Sequence, residues 1–432
     1  MVMKTPLVCA LSCALTLAAR AAINIPGATG FDGDLNITAD TVIDLSQAVP
    51  GTWNDPNQNP ANAGKGVYDP AKWAVVFKYS SVNVAAGATV TFKNHTSRAP
   101  VVWLVNGNVT INGTVCLNGQ DHQAPPILAE PGPGGFRGGT GWYAGTVSQS
   151  AGFGIGGGSV RSDWSGSGGS YGTLGPTGSS TYGNPAILPL LGGSGGAGNT
   201  DDRGPGSYRS GGGGGGAMLI ACTSILSVSG EVTANGGRGL NSSSGRASGS
   251  GSGGGIRLLT STLAGTGKLN AVGGSSWIPG GSGRIRIERV TNSNTITVTP
   301  DPSVVPLSSG DTALIFPPFG APEVKIVSIG GQDAPDDPKA AFGTEGADVA
   351  LPQTTSTTVV IRTTNVEKAA TVKVRGTPRS SGNFTEVTLD GAANPAVRQI
   401  IQDSPLPLVI DWTATLPVQV GSSAVQVRVI RP

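Results

Sequence analysis

The chain has 432 residues, of which 12% are charged and 38% hydrophobic, with 69 glycines, 31 prolines and a formal net charge of +2. So little charge, so evenly balanced, excludes a protein steered by its own field to nucleic acid or to an anionic surface. Glycine and proline at this level invite a disordered reading, but the many β-branched residues argue for packed β-structure with glycine-rich excursions.

The first 21 residues read as a secretory signal. Lys4 gives a short basic start, an apolar run spans 6–19, and Ala19-Arg20-Ala21 forms an A-x-A cleavage site. The run is too short for a membrane span, and no later stretch is long and apolar enough. Loss of Lys4 and Arg20 would leave 26 basic and 26 acidic residues.

Three stretches then share a pattern: VTINGTVCLNG (109–119), LSVSGEVTANG (226–236) and LAGTGKLNAVG (263–273). Each has a large apolar residue first, glycine fifth, Val or Leu seventh and glycine eleventh. The first glycine set is Gly113, Gly230 and Gly267; the second is Gly119, Gly236 and Gly273. Each unit follows a short apolar strand: VVWLV (101–105), AMLIA (217–221) or GIRLL (255–259). RIRIE (284–288) with TITVT (295–299) is a truncated copy, and SVNVAAGATVTF (81–92) a looser one. Period-two alternation predicts half-buried strands, and the fifth-position glycine a corner. Units that cannot bury their apolar face alone must stack. The expected fold is all-β: a stacked β-solenoid, a right-handed parallel β-helix, over residues 22–315 after a signal peptide at 1–21.

Most of the glycines fall between residues 131 and 290. The stretch 132–216 mixes Gly, Ser and Pro with aromatics, among them Trp142, Tyr143, Trp164, Tyr171 and Tyr208. Disordered linkers do not need so many aromatics. A folded glycine-rich insertion lying on one flank of the solenoid is expected. Disorder is the plainer alternative; a bundle of polyproline-II-like segments is a third, weakened because glycine follows no strict period of three.

Residues 316–322 (FPPFGAP) read as a linker. Beyond it, EVKIVSIGG (323–331), TTVVIRTTNV (357–366), ATVKVRGTP (370–378), FTEVTLDG (384–391), PLVIDWTATLP (407–417) and SAVQVRVIR (423–431) predict an antiparallel, Ig-like β-sandwich over 323–432.

The order of FKYSSVNVAAGATVTFKN (77–94), APVVWLVNGNVTINGTV (99–115), PGPGGFRGG (131–139), GGGGGGAMLIA (211–221), ANGGRG (234–239) and GSGRIRIE (281–288) resembles a group of uncharacterised secreted glycine-rich bacterial proteins. More widely, the architecture resembles pectin-lyase-like parallel β-helices. The resemblance implies export and a β-helix-like fold, and it implies no particular reaction.

Candidate chemistry is sparse. Asp201 and Asp202 in NTDDR are candidate catalytic carboxyls for a polysaccharide-cleaving enzyme, but they are sequence neighbours in a glycine loop rather than residues of successive coils. Asp121-His122 suits acid–base work; polar turn residues are the plainer account. Trp142, Tyr143, Trp164 and Tyr171 are candidate sugar-stacking residues, against the alternative that they plug the glycine-rich part. Cys116 and Cys222 are a candidate disulfide, with two separately buried thiols as the alternative. GGRGLN (236–241) carries Asn241 where a calcium-binding repeat needs Asp. No cofactor and no metal site is expected. The sequence thus points to a secreted structural or adhesive scaffold, with a polysaccharide-active enzyme or carbohydrate-binding protein as alternative. Its expected partners are extracellular polysaccharide or cell-envelope components.

Overall fold

Alternation sets the strands. In Ala74–Tyr79, Val75, Phe77 and Tyr79 face one core while Ala74 and Val76 face a second. In Ala217–Val228, Met218, Ile220 and Cys222 face the first core, and Leu219 and Ala221 the second. Burial on both faces explains why these strands read as continuous apolar runs. The computed structural model describes residues 22–142, 149–178, 180–201, 207–242, 245–339, 346–352, 354–380, 382–403 and 407–432. The molecule is all-β, with both parallel and antiparallel sheets. The predicted signal segment and Tyr143 and Asp202 lie outside the described residues.

Strands from successive repeats pair in parallel to build three ladders. The first runs through Ala74–Tyr79, Val101–Val105, the leading halves of Ala217–Val228, Gly255–Gly265 and Arg284–Asn294, and Ser303–Pro306. The second runs through Asp34–Ile37, Ser81–Val84, Val109–Ile111 and the trailing halves of the same three long strands. The third runs through Thr41–Asp44, Thr89–Lys93, Thr114–Cys116, Glu231–Thr233, Lys268–Asn270 and Thr297–Thr299. The main core lies between them.

The corner glycines stack in line. Glu231 N–H bonds Gly113 O and Lys268 N–H bonds Gly230 O, both at 2.9 Å. A Cβ at Gly230 would stand 1.9 Å from Gly113 O, and one at Gly267 would stand 2.1 Å from Gly230 O. The repeat spacing therefore marks equivalent corners of neighbouring layers, and glycine is required because one corner's backbone rests on the next.

Between the third ladder and the next first-ladder strand, the chain leaves as glycine-rich segments that bond one another without forming strands. The run 211–216 lies among five of them. The amides of Gly211, Gly214 and Ala217 bond the carbonyls of Gly139, Phe136 and Pro133 at 2.9, 2.9 and 2.6 Å. Those of Gly212 and Gly215 bond Gly249 and Ser252, and those of Gly213 and Gly216 bond Gln120 and Leu117. The carbonyls of Gly212, Gly213 and Gly215 accept from Gly196, Gly237 and Gly193. Bonding direction thus repeats every three residues, the geometry of a polyproline-II helix. The polyproline-II-like bundle, the third alternative from sequence, is the one observed. Its period of three belongs to the hydrogen bonds and not to the placement of glycine. Ser167, Ser194, Ser250, Ser252 and Ala197 occupy buried positions in the same lattice.

The outer face of the first ladder is covered by two segments. Ile23 and Ile25 pack there beside Ala313 and Ile315, with Asn24 bridged to Thr312. Arg257, only 2% exposed, crosses beneath: its Nε donates to Glu288 Oε1 at 2.8 Å and its Nη2 to Leu314 O at 2.7 Å.

The C-terminal part forms two antiparallel sheets around one core that includes Val359, Ile361, Val372, Val374 and Trp412. All six predicted strand stretches contain a strand; Arg398–Gln402, too polar to be predicted, adds another. This part docks on the glycine lattice. Asn383 accepts from Val160 N–H and donates to Val160 O, and Arg375 donates to Gly154 O at 3.4 Å.

Candidate functional site

The glycine-rich excursions leave the third ladder at Cys116, Thr233 and Asn270 and return to the first at Ala217, Gly255 and Arg284, so their turns lie away from the sheets. The segment leaving Cys116 carries Asp121, His122 and Gln123 to such a turn, roughly 19 Å from the third ladder at the ~3.1 Å rise of this helix. The segment arriving at Ala217 brings Tyr208, Arg209 and Ser210, and the segment leaving Thr233 brings Arg238.

Backbone bonds lock these three tips together. His122 N–H donates to Arg238 O at 2.8 Å, and Arg238 N–H to Asp121 Oδ1 at 2.7 Å. Gln123 N–H donates to Ser210 Oγ at 2.7 Å, and Ser210 N–H to Gln123 O at 3.0 Å. Trp142 is tied in through buried Asn199, whose carbonyl accepts Trp142 N–H at 3.0 Å and whose Oδ1 accepts Arg209 N–H at 2.7 Å. The Trp142 and Tyr208 rings meet edge to face, with centroids 5.9 Å apart at 82°. An aromatic pair, two arginines and a histidine therefore share one rim.

Burial, and after it the nearby Arg209 guanidinium, holds the His122 pKa below its ordinary range; Asp121 opposes this, and Arg238 adds to it by less. Nδ1 of His122 is shielded from solvent and has no partner among the described residues. Arg238 is exposed.

The structure divides the sequence-predicted residues. Asp121, His122 and Trp142 come together on this rim. Trp164 stands on another turn, 54% exposed, with φ of 68°. Its carbonyl accepts Thr200 N–H at 2.9 Å and the Gln149 side-chain amide at 3.2 Å. A non-glycine residue held at positive φ is strained and needs such fixing.

Three expectations are corrected. Tyr171 is fully buried, its ring 4.7 Å from that of Tyr182 and 5.5 Å from the Arg284 guanidinium. It plugs the lattice and is out of reach of a sugar outside. Asp201 is also fully buried, its Oδ2 accepting from Ser242 at 2.9 Å, so it braces a turn where a catalytic carboxyl would need access. Cys116 and Cys222 are both free. They stand in different ladders: Cys116 pairs with Thr233, and Cys222, buried against Thr260 Oγ1, has its thiol pushed up to about 11.

Compared with protein-family models, curated proteins and solved structures, the chain matches none. Among the described residues, no group of three or more His, Cys, Asp and Glu is placed to hold a metal ion. His95 lies apart from His122, its ring 4.0 Å from that of Tyr68.

The sequence offered Asn199 only as part of NTDDR and Tyr208 only as one of several aromatics in the insertion, and it did not single out Arg209 or Arg238 as members of a site. The available signal was arginine: in a chain with so little charge, Arg209 and Arg238 stand inside glycine-rich text where packing needs no side chain at all.

Proposed function

We propose that this protein is a secreted, non-catalytic structural or adhesive scaffold of the cell surface or extracellular matrix. In this reading the three ladders are a right-handed parallel β-solenoid, the usual hand for parallel crossovers. The glycine lattice fixes a set of turns at its outer rim, and the C-terminal part is an Ig-like sandwich serving as a spacer or docking module. The signal-like first 21 residues and the resemblance to exported glycine-rich proteins support secretion. The observation that carries the scaffold reading is the in-line stacking of Gly113, Gly230 and Gly267, continued into a lattice held by backbone hydrogen bonds. Such a body is stiff, and its functional variety resides in the turns it displays.

The alternative, a carbohydrate-active protein, is favoured in its binding form by the Trp142–Tyr208 pair and by exposed Trp164. Its enzymatic form is disfavoured by the burial of Asp201 and by the engagement of Asp121 with a backbone amide. Cell fractionation with surface labelling tests the main reading. Mature protein in the medium or on the outer surface is expected, and protein wholly retained in the cytoplasm overturns it. Incubation with acidic and neutral polysaccharides should release no reducing ends and no unsaturated products.

A further inference from the structure

The geometry points to a binding site for an acidic saccharide on the rim formed by Trp142, Tyr208, Arg209, Arg238 and His122. This rests on the proposed extracellular role and names its ligand class.

Four observations converge. The rim joins an aromatic pair to two guanidinium groups. A sugar presents C–H faces that pack on aromatic rings, and a carboxylated or sulfated sugar adds an anion that guanidinium binds through paired N–H donors. The backbones carrying these side chains are cross-tied at 2.7–3.0 Å by the Asp121, Gln123, Asn199 and Ser210 bonds, so little ordering is left to the binding step. The Arg238 side chain is exposed and makes no hydrogen bond or ion pair among the described residues, although arginine elsewhere in this chain is commonly paired, as in Arg257–Glu288 and Arg362–Asp411. Finally, the His122 ring is half-buried between Arg209, Arg238 and Asp121 with an unpartnered Nδ1. An anion seated on the arginines would offset the field that disfavours the imidazolium.

A neutral sugar would leave Arg238 without an anion and Arg209, whose Nη1 donates to Tyr208 O at 2.8 Å, with its remaining donors unused. A nucleic-acid strand would use the same stacking and cationic groups, but it needs a basic track along its backbone, and this chain is nearly neutral overall. The acidic saccharide is therefore the occupant we commit to.

The test uses full-length mature protein and three probes: a galacturonate oligosaccharide, its methyl ester, and a single-stranded oligothymidylate. The acid form should bind, with affinity falling at least tenfold on esterification and at least tenfold in Arg238→Ala, an exposed position whose loss does not threaten the fold. Trp142→Ala should weaken binding likewise, and Arg209→Lys should retain part of it. The His122 ring resonances should titrate at higher pH in the complex than in the free protein. Equal binding of acid and ester, equal binding of the oligothymidylate, or unchanged affinity in Arg238→Ala overturns the inference. If it fails while the protein still adheres to envelope material, the scaffold reading stands; if surface localisation fails too, both fall.

Discussion

At the residue scale, a single methyl group probes the glycine lattice. A Cβ on Gly214 would lie 1.9 Å from Gly193 O and 2.4 Å from Gly193 C, both backbone atoms that cannot rotate away. Gly214→Ala should therefore cost about 3 kcal/mol or more in chemical denaturation, because neighbouring segments must part and surrender bonds. Gly51→Ala is the control: its Cβ would meet only Val67 Cγ1 at 3.5 Å, ordinary contact, so its effect should stay within about 0.5 kcal/mol. Equal effects would contradict the lattice as described. His122 supplies a second residue-scale expectation. Its folded-state pKa lies below the ordinary 6.5, so the unfolded chain takes up the proton first as pH falls. The stability it contributes is complete above 6.5 and is lost as pH drops through the folded value. Burial and then Arg209 disfavour the charged ring, Asp121 favours it, and Arg238 disfavours it by less. His122→Gln should lower the loss of denaturation midpoint between pH ~7.5 and pH ~5.5; an unchanged slope would show that His122 is not responsible.

At the element scale, Arg257 holds the segment 313–316 over the first ladder. It is buried with Glu288, and its guanidinium also reaches the carbonyls of Leu314 and Ile315. Arg257→Leu should cost about 3–5 kcal/mol, because among the described residues Glu288 keeps only Arg286, at 3.2 Å, as its cation. Pairing it with Glu288→Leu should recover part of the loss by removing the stranded carboxylate. Limited proteolysis separates the two roles: the single variant should be cut near 311–316 well below its unfolding transition. Protection equal to wild type would rule out the segment-holding role.

At the scale of the whole molecule, glycine segments and strands form one hydrogen-bonded body. Gly216 N–H bonds Leu117 O at 2.8 Å and Gly255 N–H bonds Gly216 O at 2.9 Å, so lattice passes into ladder without a break. Hydrogen exchange should then protect the amides of 212–216 about as strongly as those of 218–222. Rapid exchange confined to 212–216 would mean a loose layer resting on a rigid one. Asn383→Ala should speed exchange at Val160 while leaving 212–216 unchanged, since the Asn383 bonds tie the C-terminal part to Val160 and do not reach the 212–216 run.

The ladders and the C-terminal strands were legible in the sequence because each rests on a local, periodic signal. Val75, Phe77 and Tyr79 alternate against Ala74 and Val76, and Gly113, Gly230 and Gly267 recur at one place in each unit. The six glycines of 211–216 carry no such signal. With no side chain, each looks alike, and what distinguishes them is which of several segments each amide meets. Those segments come from residues as distant as Gln120 and Ser252. The rim was hidden for the same reason. Asp121-His122, Tyr208-Arg209 and Arg238 are far apart in the chain, and only the packing of glycine backbones brings their tips to one edge. Side-chain pattern determined the strands; backbone hydrogen bonding between distant segments, which leaves no trace in residue order, decided the lattice and what it displays.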